Sequence, residues 1–537
     1  MVKRRRIKSA KETLRKRQGK AAKETIKRKE GFKYQLILEG VCVGFLTGVI
    51  VSLYRYMFLK IESMRELFID AAGQKILVAV LGVGLLIFML VVAAAVIKRE
   101  PMAGGSGIPQ VEGELKGKIN ANWIQVIIAK FAGSLLSIGS GLSLGSEGPS
   151  VQLGAMAGKG FSRINNRLRT EERLLLTCGA GAGLATAFGA PLAGVVFTLE
   201  EMHKNFSQEI LLSTMASAIT ADCVASYIFG LRPVVNFAVS DGMPLSRIWM
   251  VILLGILMGL FGVFYNKTTF FVQDLFSGMN PVISRLVIPF AMIMVLVFVM
   301  PEALGSGASL IEPAGSGTLG VKALILLLIV KYISSAVSFG SGHAGGTFLP
   351  LLVLGAISGG LFTEIISPLA GYNDSYIEYF VILGMAGYFS AIVRAPITGI
   401  ILISEMTGTF SNLLSLSMVS LVAYMVADIL KGRPLYEELT ERMIAGGKAK
   451  KPSRKNKILI ESEVHYGSLM EGKPLSMIDL PMGCLVVSVQ RDKHEIVPGG
   501  GTVLMAGDKL VLLCNEDLVM KAQRELDEKC RTVVNAR

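Results

Sequence analysis

The sequence predicts an all-α polytopic membrane protein built from two related halves and followed by a small α+β domain. Three observations carry that reading: an apolar composition, an internal repeat, and a change of pattern after a basic linker. Of 537 residues, 52% are hydrophobic and 18% charged, a balance too apolar for a soluble chain of this length. Ile76 to Ile97 runs for 22 residues without a charge, and Ile248 to Tyr265 and Leu286 to Met300 are similar. Several segments thus reach or approach the roughly 20 residues that span a hydrocarbon core. Shorter apolar segments interrupted by glycine are expected to be helices that stop inside the membrane.

Residues 1–33 hold 15 Lys or Arg against three Glu and no apolar stretch, so they read as a basic tail and not as a cleaved leader. The positive-inside rule makes this tail cytoplasmic, together with the linker 446–457, whose stretch Lys448 to Lys457 carries six basic residues in ten. Both termini are therefore expected on the cytoplasmic side of a multi-pass protein of the cell membrane. The net charge of +14 reports this topology and lipid contact, not nucleic-acid binding. Cys42, Cys178, Cys223, Cys484, Cys514 and Cys530 show no CxxC spacing and no cluster with His203, His343, His465 or His494. They read as buried thiols, with no metal and no disulfide framework.

The repeat appears at a fixed offset of 201. Gly145 to Gly158 (GSEGPSVQLGAMAG) aligns with Gly346 to Gly359 (GTFLPLLVLGAISG) at six of 14 positions, and Gly139-Ser-Gly141 matches Gly340-Ser-Gly342. At an offset of 205, Ala190-Pro-Leu-Ala-Gly194 pairs with Ala395-Pro-Ile-Thr-Gly399, and Glu200 with Glu405. Ordered Gly and Pro landmarks over so long a stretch indicate a duplicated unit. A transmembrane domain over 34–445 is expected, with repeats at about 34–235 and 245–445.

Three Gly-rich breaks interrupt the apolar pattern: Gly104-Gly-Ser-Gly-Ile-Pro109, Gly145-Ser-Glu-Gly-Pro149 and Gly345-Gly-Thr-Phe-Leu-Pro350. Each ends in proline, which suits a first helical turn, so each delivers a helix N-terminus. Free amides and the positive end of the dipole favour an anion there, and glycine lets backbone approach it. The literal GxGxxG at Gly340 to Gly345 lies between apolar segments without a βαβ unit, so it is no dinucleotide fingerprint.

These motifs, Gly105-Ser-Gly-Ile-Pro109, Gly145-Ser-Glu-Gly-Pro149 and Gly346 to Pro350, resemble the three anion-site signatures of the CLC chloride channel and transporter family in order and spacing. The resemblance covers about residues 35–440. It implies a homodimer with one pore per subunit, each subunit made of two inverted helical repeats. It also implies that the hydroxyls of Ser106 and Tyr436 contact a central chloride with the amides of Thr347 and Phe348, and that amides around Gly148 form an outer site. Glu147 corresponds to the family's gating glutamate, which competes with the anion and gives up its place when protonated. Glu201, the second acid of Glu200-Glu201, corresponds to the internal proton acceptor of exchangers, which argues for chloride–proton exchange over a passive channel. Ser146 departs from the pattern, since the family usually has a basic residue there.

From Ile458 the pattern changes to short β-like runs, Cys484 to Val489 and Lys509 to Cys514, and a helical stretch Glu516 to Glu528. Val486 to Pro498, continuing to Gly507-Asp-Lys-Leu-Val511, resembles the TrkA C-terminal (RCK-C) domain. That resemblance implies a regulatory dimer over 458–537 that binds cyclic di-AMP, with Val486, Val487, Arg491, His494, Ile496 and Pro498 as contacts, or a dimerisation module with no ligand. A potassium transporter would need a filter for which Ala386-Gly-Tyr-Phe389 is a poor substitute. An enzyme would need a nucleophile or metal constellation, which the apolar body does not show.

Overall fold

The computed structural model describes residues 2–204, 206–231, 243–279, 282–370, 376–445, 457–481, 483–491 and 494–515, with a few positions between and beyond them. Side-chain description begins at residue 34. The chain forms two compact units, Met1–Lys448 and Ala449–Arg537. The linker and the stretch Glu516 to Glu528 lie largely outside the described residues.

The first unit is helical, in keeping with the sequence, and it has the fold expected. Among the described residues seven helices are long and apolar enough to cross a membrane, from Tyr34–Ile69 to Phe348–Pro368. Shorter apolar helices such as Trp123–Gly139 and Pro396–Thr407 accompany them. Prolines at the first turn start the helices Pro191–Phe197 and Pro396–Thr407, where the missing N–H costs nothing.

Glycine sets the distance between helices. The helix Glu147–Ile164 crosses Arg169–Phe188 where Gly154 meets Gly179, and Phe348–Ala370 crosses Ile377–Val393 where Gly355 meets Gly384. A Cβ on Gly154 would lie 2.1 Å from the Gly179 carbonyl oxygen, and one on Gly355 would lie 2.6 Å from that of Gly384. Both crossings are therefore closed to any side chain, as close backbone packing in membranes demands. The two contacts are copies of one another at the offsets 201 and 205.

The reciprocal helix caps follow the same pairing. Glu200 accepts hydrogen bonds from the Ile397 and Thr398 amides (3.1 and 2.7 Å) at the start of Pro396–Thr407. Glu405 accepts from the Leu192 and Ala193 amides (3.0 and 2.8 Å) at the start of Pro191–Phe197. Each repeat thus supplies the carboxylate that caps the other's helix, satisfying amides that lipid cannot.

The second unit is built on an antiparallel sheet of β1 (Lys457–Glu463), β2 (Cys484–Arg491), β3 (His494–Ile496) and β4 (Lys509–Asn515), in the order β1-β4-β2-β3. Its core gathers Ile460, Val464, Met470, Val489, Leu510 and Leu512. One expectation is corrected here. Register places Cys484 directly opposite Cys514 on adjacent strands, and the two form a disulfide. Cys178 and Cys530 are buried, whereas Cys42 and Cys223 are exposed. Spacing alone could not reveal the pair, because a cross-strand contact depends on register.

At the end of β2, Arg491 donates to both carboxylate oxygens of the buried Asp508 at 2.7 Å. Burial opposes ionisation, yet Arg491 and the Met505 amide together hold the Asp508 carboxyl below the usual range. A depressed carboxyl contributes stability above its unfolded pKa and loses it as pH falls through the folded value. Asp508→Asn is expected to destabilise the second unit by about 1–3 kcal/mol at neutral pH. In thermal unfolding followed against pH, the gap to wild type narrows below pH ~4.

Candidate anion-binding site

The three Gly-rich breaks meet. Gly145 and Gly346 exchange backbone hydrogen bonds, N to O, of 2.6 and 2.8 Å, tying the second break to the third. Gly105 donates to His343 O and accepts from Gly345 N, both at 3.0 Å, tying the first break to the third. A Cβ on Gly148 would lie 2.5 Å from Ser106 Oγ and 3.2 Å from Gly346 Cα, so elements of all three breaks touch at Gly148. The helices that follow, Ile108–Leu115, Glu147–Ile164 and Phe348–Ala370, therefore begin around one point.

Left-handed glycines make the first break possible. Gly105 and Gly107 have φ of 65° and 105°, a region other residues seldom enter. Gln110 then accepts from the Gly107 amide (2.9 Å) and donates to Gly104 O (2.7 Å), while Lys130 Nζ donates to Ala103 O and Gly105 O at 3.1 and 2.7 Å. Gln152 donates to Met102 O at 2.9 Å. The loop is held from behind, and the Ser106 side chain is left over.

Several groups singled out in the sequence are among the buried polar atoms left without a partner. The hydroxyls of Ser106, Thr347 and Tyr436 and one carboxylate oxygen each of Glu147 and Glu201 are buried and make no hydrogen bond. Buried polar atoms in this state are rare, because leaving one unpaired costs about 1–3 kcal/mol. Glu147 takes a hydrogen bond from Ser146 Oγ at 3.3 Å and faces its own amide and that of Leu349. The serine that replaces the usual basic residue thus touches the carboxylate directly. Phe348 packs its ring on Phe389 and Phe188, with centroids 4.7 and 5.2 Å apart, and Phe197 bridges Phe348 to Tyr436.

Tyr436 arrives on the helix Leu435–Ile444, which is fastened to Ile108–Leu115 by a 2.6 Å hydrogen bond from Thr440 to Glu112. Glu201 stands apart from the Gly-rich breaks. It lies in a π-helical stretch, Thr198–His203, beside Lys204, Glu112 and Glu437. A π turn moves consecutive side chains out of α phase, and here it sends Glu200 to its capping role while Glu201 is buried with an unpartnered oxygen.

Sequence reasoning missed Lys130, Gln110, Gln152 and Phe197. Lys130 had a usable signal, a lone charge in the apolar run Trp123–Gly139. In the second unit the contacts inferred from resemblance are only partly gathered. Val486 belongs to the core, Val487, Ile496 and Pro498 are half-buried, and the Arg491 guanidinium is engaged with Asp508 and Val503 O. The His494 side chain lies outside the described residues.

A helical membrane body in which the helix ends of two related halves enclose a buried polar centre defines a repeat-built membrane transport fold. The voltage gated chloride channel family model matches residues 88–428, and the TrkA-C domain model matches 459–527. The chain belongs to the voltage gated chloride channel (CLC) family, with a TrkA-C domain after the membrane unit. It is 38% identical over 360 residues to the H(+)/Cl(-) exchange transporter ClcA of Vibrio cholerae serotype O1, covering 65% of this chain and 76% of that protein. The ClcA of Yersinia pestis bv. Antiqua is 36% identical over 354 residues, 64% of this chain and 74% of that one. Among solved structures, a slow cyanobacterial Cl-/H+ antiporter superposes with a TM-score of 0.73 at 31% identity, over 76% of this chain and 98% of that chain.

Gly148 packs directly against Ser106. Gly148→Ala is expected to push Ser106 out of line and weaken chloride binding by at least ~10-fold, about 1.4 kcal/mol, in calorimetric titration of the detergent-solubilised protein.

Proposed function

We propose that this chain exchanges chloride for protons across the cell membrane, with both termini cytoplasmic and one pore in each subunit of a homodimer. The observation that carries the proposal is the set of buried, unpartnered hydroxyls of Ser106, Thr347 and Tyr436 beside the Glu147 carboxylate. Hydroxyls and convergent helix ends suit a small anion, and they lack the fixed countercharge that would hold it too firmly. Glu147 competes for the same amides, and protonation frees it to swing out while chloride steps past Ser106 and Tyr436. Glu201 is the second proton station, reached from the cytoplasm through the charged cluster of Lys204, Glu112 and Glu437. The domain at 458–537 acts as a regulator of the transmembrane unit at 34–445, and cyclic di-AMP is the ligand to test on it by calorimetry.

In chloride-loaded liposomes the wild type is expected to take up protons as anion leaves. Glu147→Ala conducts chloride without proton movement, and Glu201→Val loses proton uptake while chloride still passes. Chloride flux with no proton flux in the wild type would make the protein a passive channel and sink the exchange reading.

A further inference from the structure

The second repeat contains its own copy of the Ser106 loop. Pro101–Ala103 and Pro301–Ala303 are both short 3-10 turns. Gly105-Ser106-Gly107 then corresponds to Gly305-Ser306-Gly307, and all four glycines are left-handed, with φ of 65° and 105° in the first loop and 68° and 81° in the second. Lys331 stands 201 residues after Lys130 and repeats its contacts, donating to Ala303 O and Gly305 O at 3.2 and 2.6 Å where Lys130 donates to Ala103 O and Gly105 O. The docking of each loop on the opposite repeat is conserved too. Gly105 N donates to Gly342 O, and Gly305 N to Gly141 O, with the donors 200 and the acceptors 201 positions apart.

The two loops differ at the serine. Ser106 Oγ is buried without a hydrogen bond, whereas Ser306 Oγ, also fully buried, donates to Glu62 Oε1 at 3.2 Å. Glu62 comes from the helix Val2–Gln74, which belongs to neither loop. Arg65, one turn on, pairs with Glu62 at 3.6 Å, and its guanidinium sits so close to the loop that a Cβ on Gly305 would meet it at 2.6 Å.

We propose that the Gly305-Ser306-Gly307 loop is a second halide cradle held closed by the Glu62 carboxylate, which serves there as a tethered anion. The charge arrangement explains why an anion is needed. A guanidinium does not shed its proton, and a partly buried one without a counterion is strongly disfavoured. Glu62 supplies that counterion and satisfies Ser306 at the same time. In the first repeat no such side chain bonds Ser106 among the described residues, so an exchangeable ion can fill that role. A duplicated fold would otherwise contain two anion cradles per subunit. The tether leaves one of them open to traffic.

The inference takes from the proposed function only the reading of the Ser106 loop as an anion site, and one experiment separates the two. Full-length wild type, Glu62→Ala and the double variant Glu62→Ala/Ser306→Ala are crystallised with bromide, and anomalous peaks are located. Wild type is expected to show bromide near Ser106 and none at Ser306. Glu62→Ala gains one bromide per subunit beside Ser306 and Arg65, and the double variant loses at least half of its occupancy. No added peak in Glu62→Ala, in crystals where the Ser106 peak persists at wild-type occupancy, overturns the second cradle. Bromide at Ser306 in the wild type overturns the tether. Absence of bromide near Ser106 in every crystal counts against the proposed function and not against the tether. Should crystals of Glu62→Ala fail to form, equilibrium bromide binding in detergent gives the same answer as one more site per subunit than wild type, and equal stoichiometry overturns the proposal.

Discussion

The structure turns on the pair of backbone hydrogen bonds between Gly145 and Gly346. Two helices, Glu147–Ile164 and Phe348–Ala370, start within a few residues of this bridge. Their positive dipole ends repel one another, and the loops before them expose amides and carbonyls that hydrocarbon cannot satisfy. The bridge satisfies two of each and fixes the distance between the helix ends. Only glycine allows it. A Cβ at position 145 would lie 2.1 Å from Glu147 Oε2, and one at position 346 would lie 3.0 Å from Gly148 N. With the backbone groups pinned to each other, the hydroxyls of Ser106, Thr347 and Tyr436 and one Glu147 oxygen are left unsatisfied, and the same repulsion between helix ends becomes an attraction for an anion placed there.

Symmetry about that bridge explains the two numerical offsets in the sequence. Landmarks from Lys130 and Lys331 to Gly158 and Gly359 repeat at 201, and those from Ala190 and Ala395 repeat at 205. The four extra residues fall between Gly359 and Gly384, where the helix Phe348–Ala370 is longer than its counterpart Glu147–Ile164, and they leave the glycine crossing intact. The Glu200 and Glu405 caps show the same economy. Each is polar satisfaction exported to the other repeat, so neither half completes its own helix starts in isolation.

What could be read from the chain is what backbone conformation writes into it. Breaks that need left-handed or side-chain-free positions must use glycine, and helix starts favour proline, so Gly105 to Pro109, Gly145 to Pro149 and Gly346 to Pro350 announced the site. Ser106 and Glu147 were legible because they sit inside those breaks. The supports were not. Lys130, Gln110 and Phe197 lie on ordinary helical stretches where one polar or aromatic residue has many uses, and only the fold shows which carbonyl or ring each one meets. The Cys484–Cys514 disulfide was hidden for a related reason, since strand register is a property of the pair and not of either strand.

The placement of Lys130 also refines how the site can attract an anion and still release it. A lysine of the helix Trp123–Gly139 is buried against the loop that carries Ser106, so positive charge was not simply excluded from the region. Its Nζ is turned onto Ala103 O and Gly105 O, however, and makes no bond to the Ser106 hydroxyl. The lysine therefore stiffens the loop and orients its peptide dipoles, while the groups left without a partner are neutral hydroxyls, whose individual attraction for an ion is modest. In the second repeat the matching lysine behaves identically, but Arg65 adds a guanidinium and Glu62 answers it. The guanidinium beside Ser306 is thus paired with a fixed carboxylate that also bonds the serine, whereas the Ser106 hydroxyl is left with no hydrogen bond among the described residues.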